Sequence, residues 1–212
     1  MEDTIIFLVG VGEKSTNNII EYYNELKNNY FNVKVLTNQP TYFESQDVVI
    51  YRKEIFNYFD KIHGALDLIQ LFNKNILFLD DDNRLSKDTL LEYIKKSSQH
   101  NFTYVNNYPK GNFINYKDEY CFRYLLEYMD YRKIEVKDYE TICERLMYFN
   151  KTLPLGKIKS NLETIQPIFD YISLMNDTTY TKPFVLGGAE GLALSIVFNL
   201  CDVPLKKINL HG

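Results

Sequence analysis

An α/β fold with a mostly parallel central sheet flanked by helices is what this sequence predicts, and three observations carry the prediction. Through the first half, short apolar runs alternate with stretches whose apolar residues recur at helical spacing, the pattern of parallel strands joined by crossover helices. Four of those runs, TIIFLVG, NVKVLT, DVVIY and NILFLD, lead into glycine, polar or charged residues, where ligand-binding residues of such a sheet gather. The chain has 212 residues, 45% hydrophobic and 25% charged, which suits one compact domain with a real core.

The elements follow in order. TIIFLVG, Thr4 to Gly10, is a continuous apolar run and predicts a buried strand. STNNIIEYYNELKNNY predicts a helix with Ser15 as its N-cap, and NVKVLT a second strand. DVVIY predicts the third strand, KEIFNYFDKIHGALDLIQLF a helix and NILFLD the fourth strand, after which SKDTLLEYIKKSSQ runs as a helix from an N-cap at Ser86. The second half is less regular. FTYVNNY predicts a strand, while KDEYCFRYLLEYMDYRK, DYETICERLMYFN and NLETIQPIFDYISLM predict helices, the last bent or broken at Pro167. PFVLGGAEGLALSIVFNL reads as a strand, a glycine turn and a helix, and VPLKKINL as a last strand. No repeat, low-complexity segment or linker interrupts this series, so the expectation is one domain of two lobes, residues 1–104 and 105–212, with the break near Tyr104 to Asn112.

Composition narrows the function. The net charge is −4 and the basic residues are scattered, so the electrostatic footprint of a nucleic-acid-binding protein is missing. TIIFLVGVG and GLALSIVFNL fall short of the roughly 20 apolar residues a membrane span needs. MEDTIIF lacks the basic region and small-residue cleavage site of a signal peptide, and a cytoplasmic protein is expected. Cys121, Cys143 and Cys201 have no metal or redox spacing and read as buried thiols.

Chemistry concentrates at strand ends. NILFLDDDNRLS drives an apolar run into Asp80, Asp81 and Asp82. Adjacent carboxylates repel, and an apolar strand end makes ionisation costly unless a cation or polar ligand shares the site; a solvated turn is the alternative. The parallel-sheet rule brings Gly10 to Lys14, Thr37 and Asn38, and Tyr51 and Arg52 to the same edge. GVGEKST is not a P-loop, because Glu13 separates Gly12 from Lys14 and Phe7 occupies the first glycine position. Instead the stretch Val9, Gly10, Val11 and Gly12 lets backbone approach a nucleotide base or ribose, or simply turns the strand into a helix. Arg52 and Lys61 read as contacts to a base or diphosphate, or as a solvated charged face; His63, inside a helix, reads as structural.

The aspartates admit two enzyme readings. In the phosphotransferases of the haloacid dehalogenase superfamily an apolar strand ends in D-x-D-x-[TV] with a nucleophilic first Asp, but here Arg84 stands where Thr or Val belongs. The second reading is a resemblance. IHGALDLIQLF leading into NILFLDDDNRLSKDTLLEYI, together with PFVLGGAEGLALS, resembles the GT-A glycosyltransferases, in particular the Fringe and β-1,3-glycosyltransferase branch.

That resemblance implies a Rossmann-like GT-A sheet with an acceptor-side lobe, and a nucleoside diphosphate sugar, UDP-sugar favoured, as donor. It implies that Asp80 and Asp82 hold Mn²⁺ or Mg²⁺ on the diphosphate, with His211 in KKINLHG as a third ligand and Asp81 toward the sugar. It also implies that Gly188, in the glycine turn, lies near the donor, with a glycan or glycoprotein as acceptor. An acidic base is expected at Glu190 or at Asp202 beyond the following helix; the plainer account of Glu190 is a carboxylate favoured by a helix N-terminus. The Asn-, Lys-, Ile- and Tyr-rich composition fits a virus-encoded or bacterial glycosyltransferase acting in the cytosol, a viral capsid-modifying enzyme in host cytoplasm among them, or one domain cut from a longer chain. A metal-dependent phosphatase or nucleotidyltransferase and a non-catalytic nucleotide-binding domain remain the alternatives.

Overall fold

The computed structural model describes residues 3–49, 59–105, 123–135, 142, 145–179 and 189–210, without the side chains of residues 124, 171–179, 189 and 190. The chain forms two compact units. Met1–Val105, Arg145–Leu155 and Leu205–Gly212 make up the first, Asn106–Glu144 and Gly156–Pro204 the second.

The first unit is built on strand β1 (Thr4–Gly10), buried along its whole length. Parallel strands β2 (Val33–Thr37) and β4 (Asn75–Leu79) flank it, and β3 (Val48–Val49) extends the β2 side. On the other side β6 (Leu146–Phe149) runs antiparallel between β4 and β5 (Phe102–Tyr104), and β7 (Leu205–Lys207) pairs in parallel with β5. The result is a mixed, mostly parallel sheet of seven strands in the order β3-β2-β1-β4-β6-β5-β7. The expected α/β class with a mostly parallel sheet is therefore present.

Alternation along the strands divides the core into two layers. Ile6, Leu8, Leu77 and Leu79 pack with Ile19, Tyr22 and Leu26 of helix α1 (Glu13–Asn28) and with Leu90 and Tyr93 of α3 (Lys87–Ser97). The opposite face carries Phe7 and Phe78, against which α2 (Asp60–Phe72) lies. A Cβ at Gly64 would sit 2.8 Å from the Phe7 ring, so glycine there is what allows this helix to approach the strand. Helix α3 starts as expected, with the Ser86 hydroxyl accepting from the Thr89 N–H.

Three sequence expectations need correction. DYETICERLMYFN was expected to be helical, but Leu146–Phe149 is a strand buried on both faces. A four-residue apolar run has no period of its own, so burial between two strands decides its conformation. Helix α1 begins at Glu13 with Gly12 as its cap rather than at Ser15. In the second unit α5 (Leu155–Thr179) runs through Pro167 without a break. Ile158, Leu162, Ile165 and Phe169 are fully buried at helical spacing on both sides of that proline, and this packing outweighs the one hydrogen bond proline removes. The DVVIY strand is observed only at Val48–Val49, since Asp47 closes a 3₁₀ turn and Ile50 and Tyr51 lie outside the described residues.

The second unit also contains α4 (Arg123–Tyr131) and α6 (Ala189–Leu200). Leu192 to Phe198 are buried without interruption, as expected of a helix that is apolar all round. Among the described residues no helix is long and apolar enough to cross a membrane.

Candidate functional site

From β1 the chain builds β2 and β3 on one side, then crosses to β4 on the other. The carboxyl ends of β1 and β4 therefore flank the point where the strand order reverses, the place where open α/β sheets bind ligands. Register sets the residues there: Leu8 pairs with Leu79 and Gly10 with Thr37, so Asp80, Val9, Gly10 and Thr37 share one edge of the sheet.

Each of the two glycines at the end of β1 has its own reason. A Cβ at Gly10 would lie 2.5 Å from Ile19 Cδ1 and 3.1 Å from Thr16 Cα, so Gly10 lets α1 pack tightly on the strand. At Gly12, φ 83° and ψ 161° put the backbone in a region open essentially to glycine alone, while a Cβ would meet nothing within 4 Å. That conformation starts α1 and points the Gly12 N–H at Asn38 Oδ1, 2.9 Å away. Buried Thr16 secures the turn, its hydroxyl donating to the Gly10 carbonyl at 3.0 Å, and Thr37 Oγ1 accepts from the Gln39 N–H at 3.0 Å.

Beyond β4 the acidic loop is tied down on two sides. The Asp80 N–H and the Asn83 side-chain amide both donate to the Arg145 carbonyl, at 2.9 and 2.7 Å. From the other side α1 reaches across: Asn18 Nδ2 donates to Asp81 Oδ2 at 3.4 Å, Arg84 donates to the Asn18 carbonyl at 2.9 Å, and the Tyr22 hydroxyl donates to the Leu85 carbonyl at 3.1 Å. The loop is thus fixed by main-chain and side-chain bonds together, and its carboxylates already accept some of them: Asp80 Oδ1 from the Asp81 N–H at 3.1 Å and Asp81 Oδ2 from Asn18.

Asp80, Asp81 and Asp82 each bring a carboxylate oxygen within 4.8 Å of the others. Burial is the main reason Asp80 is held above its ordinary carboxyl value; the charges of Asp81 and Asp82 push the same way, while the Lys61 ammonium and the Asp81 N–H oppose. Lys61, read from sequence as either a ligand contact or part of a solvated face, is buried on α2 over the Phe78 ring at 5.8 Å, so the solvated-face account fails. Asp82 faces Arg145, Oδ2 to Nη1 3.3 Å. Three hard carboxylate oxygens so close together form a donor set suited to Mg²⁺ or Mn²⁺. Carboxylates of this cluster are the groups that would hold such an ion.

The structure brings Val9, Gly10, Val11, Gly12, Thr37, Lys61 and Asp80 to Asp82 into the first unit. Arg52, Gly188 and His211 lie outside the described residues. Glu190 occupies the first turn of α6, with its main chain alone described. Asp202 is exposed with φ 56° and caps α6: its N–H donates to the Asn199 carbonyl, and the Val203 N–H to the Phe198 carbonyl at 2.8 Å. This pair of bonds is the Schellman closure of a helix, a structural task that the sequence reading had not assigned to Asp202. Lys206 and Lys207 of β7 are both exposed.

Sequence reasoning missed Thr16, Asn18, Asn83 and Arg145. A polar Thr or Asn one turn into a helix carries no signal of its own, and Arg145 was hidden by the helical reading of β6. A cleft of about 580 Å³ opens at the other end of the sheet, where Thr4 and Asn75 begin β1 and β4 and Leu91 and Ile94 of α3 face them. Polar groups in its wall already serve one another, Lys151 N–H to Asn75 Oδ1 at 2.9 Å and Lys151 Nζ to Asp3 at 2.7 Å. No protein-family model matches the chain, and no curated protein does.

Proposed function

We propose that the chain is a divalent-cation-dependent glycosyltransferase of the GT-A type, moving a sugar from a nucleoside diphosphate sugar, UDP-sugar favoured, to a hydroxyl of a glycan or glycoprotein. One observation carries the reading: three convergent carboxylates end the strand beside the switch point of a doubly wound sheet. Similarity of NILFLDDDNRLS and PFVLGGAEGLALS to the Fringe and β-1,3-glycosyltransferase branch supports it.

In this reading Asp80 and Asp82 ligate Mn²⁺ or Mg²⁺, with His211 completing the set, and Asp81 turns toward the donor. When bound, the cation neutralises charge developing on the diphosphate leaving group. Val9 to Gly12 and Thr37 border the nucleoside, their glycine backbone admitting close approach. Arg52 and Gly188 contribute further donor contacts, and the Lys61 ammonium favours the charged form of Asp80 against the penalty of its burial. Glu190, or Asp202 in its place, takes the proton of the acceptor hydroxyl as it attacks the anomeric carbon. A cytoplasmic site of action, host cytoplasm for a virus-encoded capsid-modifying enzyme, accords with the composition.

The test is a thermal-shift panel of UDP- and GDP-sugars, with and without Mn²⁺, beside simple phosphate esters. The reading expects stabilisation by one class of nucleotide sugar only when Mn²⁺ is present. Stabilisation by phosphate esters and by no nucleotide sugar would favour a metal-dependent phosphatase and overturn it.

A further inference from the structure

The cleft where β1 and β4 begin has one group in its wall that the fold leaves unsatisfied. Tyr148 of β6 is fully buried, and its hydroxyl is the one buried side-chain nitrogen or oxygen among the described residues that makes no hydrogen bond. Its ring belongs to the core with Leu77, opposite it on β4, and with Leu90 and Tyr93 of α3. The hydroxyl end is what reaches the cleft. Thr4 and Asn75 beside it favour its charged form and Asp3 opposes, and all three line the cleft together with Tyr148. Two of these neighbours are already engaged, Asn75 Oδ1 by the Lys151 N–H at 2.9 Å and Asp3 by Lys151 Nζ at 2.7 Å. A buried polar atom without a partner costs free energy. One that lines a cleft of about 580 Å³, a volume in the range of small-molecule sites, leaves room for a ligand to supply that partner.

The rest of the wall defines the ligand's chemistry. Leu91 and Ile94 of α3 supply an apolar side. Asp3 and Lys151 neutralise each other, which leaves the exposed Lys95 of α3 as the unbalanced charge of the lining. We propose that this cleft is a ligand site for a small organic anion with an apolar body. A hydroxyl or carbonyl at one end of the ligand meets the Tyr148 hydroxyl, the body lies on Leu91 and Ile94, and the anionic group faces Lys95. The site is at the opposite end of the sheet from Asp80, so it stands whichever way the acidic loop is read.

4-Hydroxybenzoate carries all three features, benzoate lacks the polar tip, and 4-hydroxybenzamide lacks the charge. Isothermal titration of the full chain with each, in wild type, Tyr148→Phe and Lys95→Met, separates the contributions. Wild type is expected to bind 4-hydroxybenzoate at one site and benzoate about tenfold more weakly, the scale of one buried hydrogen bond. Tyr148→Phe removes that difference: 4-hydroxybenzoate weakens about tenfold and benzoate hardly changes. Lys95→Met, at the exposed rim, weakens both carboxylates about threefold and leaves the amide as it was. Without ligand, Tyr148→Phe is expected to raise the thermal midpoint, because it removes a buried hydroxyl that nothing satisfies. A lowered midpoint would mean that the hydroxyl serves the fold through a fixed internal water, and it overturns the inference. So does a 4-hydroxybenzoate affinity that neither variant changes, or the absence of saturable binding in wild type.

Discussion

Single residues at the strand ends hold conformations and charges that the fold by itself would not favour. Gly12 has a backbone that other residues avoid and empty space where a side chain would go. Gly12→Ala therefore isolates the backbone cost, and urea unfolding is expected to show a loss of about 1–3 kcal/mol. Asp80 is costly for another reason. Burial raises its carboxyl value above that of the unfolded chain, so its ionised form weakens the fold at neutral pH, and stability recovers as pH falls through the raised value. Asp80→Asn is thus expected to raise the thermal midpoint of the metal-free protein at pH 7 while removing its response to Mn²⁺. A lowered midpoint would mean that the charge supports the fold rather than a ligand.

At the scale of elements, a buried charge cluster joins α1 to the β2–β3 edge. Asp47, closing the 3₁₀ turn before β3, accepts from the Tyr23 hydroxyl at 2.9 Å and from Lys27 at 2.6 Å, with Lys34 at 3.4 Å. Burial pushes the Asp47 carboxyl up, but the bonds from Lys27 and Tyr23 outweigh it and hold the group below its ordinary value; Lys27 is raised by the same bond. Stability from Asp47 is therefore complete above the unfolded carboxyl value of about 3.9 and lost as pH falls through the depressed folded value. The Lys27 contribution is complete below about 10.4 and lost as pH rises through its raised value. Asp47→Asn is expected to cost about 2 kcal/mol at pH 7 and to flatten the acid limb of a stability–pH curve measured by urea unfolding. None of this was legible in the sequence, where Asp47 is one polar residue before an apolar run. Helix α3, in contrast, was readable because Ser86 and the spacing of Leu90 and Tyr93 act locally.

For the whole molecule, strand–helix alternation was enough to predict the parallel core β1 to β4 and to bring Gly10, Thr37 and Asp80 to one edge. It could not reveal that β6, from late in the chain, enters the sheet antiparallel beside β4, because only long-range burial makes Leu146–Phe149 a strand. Phe149 is fully buried there and meets the Phe102 ring edge-on at 5.0 Å. Phe149→Ala is expected to lower unfolding stability by about 3–5 kcal/mol; a loss under about 1 kcal/mol would speak against a central strand. The acidic site was readable as residues but not as a tethered loop, since Asn18 and Arg145 reach it only through tertiary packing. The glycosyltransferase reading of that loop meets its most direct test in Mn²⁺-dependent nucleotide release from a panel of UDP- and GDP-sugars, wild type against Asp82→Asn. The reading predicts release from at least one sugar nucleotide in wild type, abolished by chelation and by Asp82→Asn with the fold intact. Equal release in Asp82→Asn, or release that persists without a divalent cation, would contradict it.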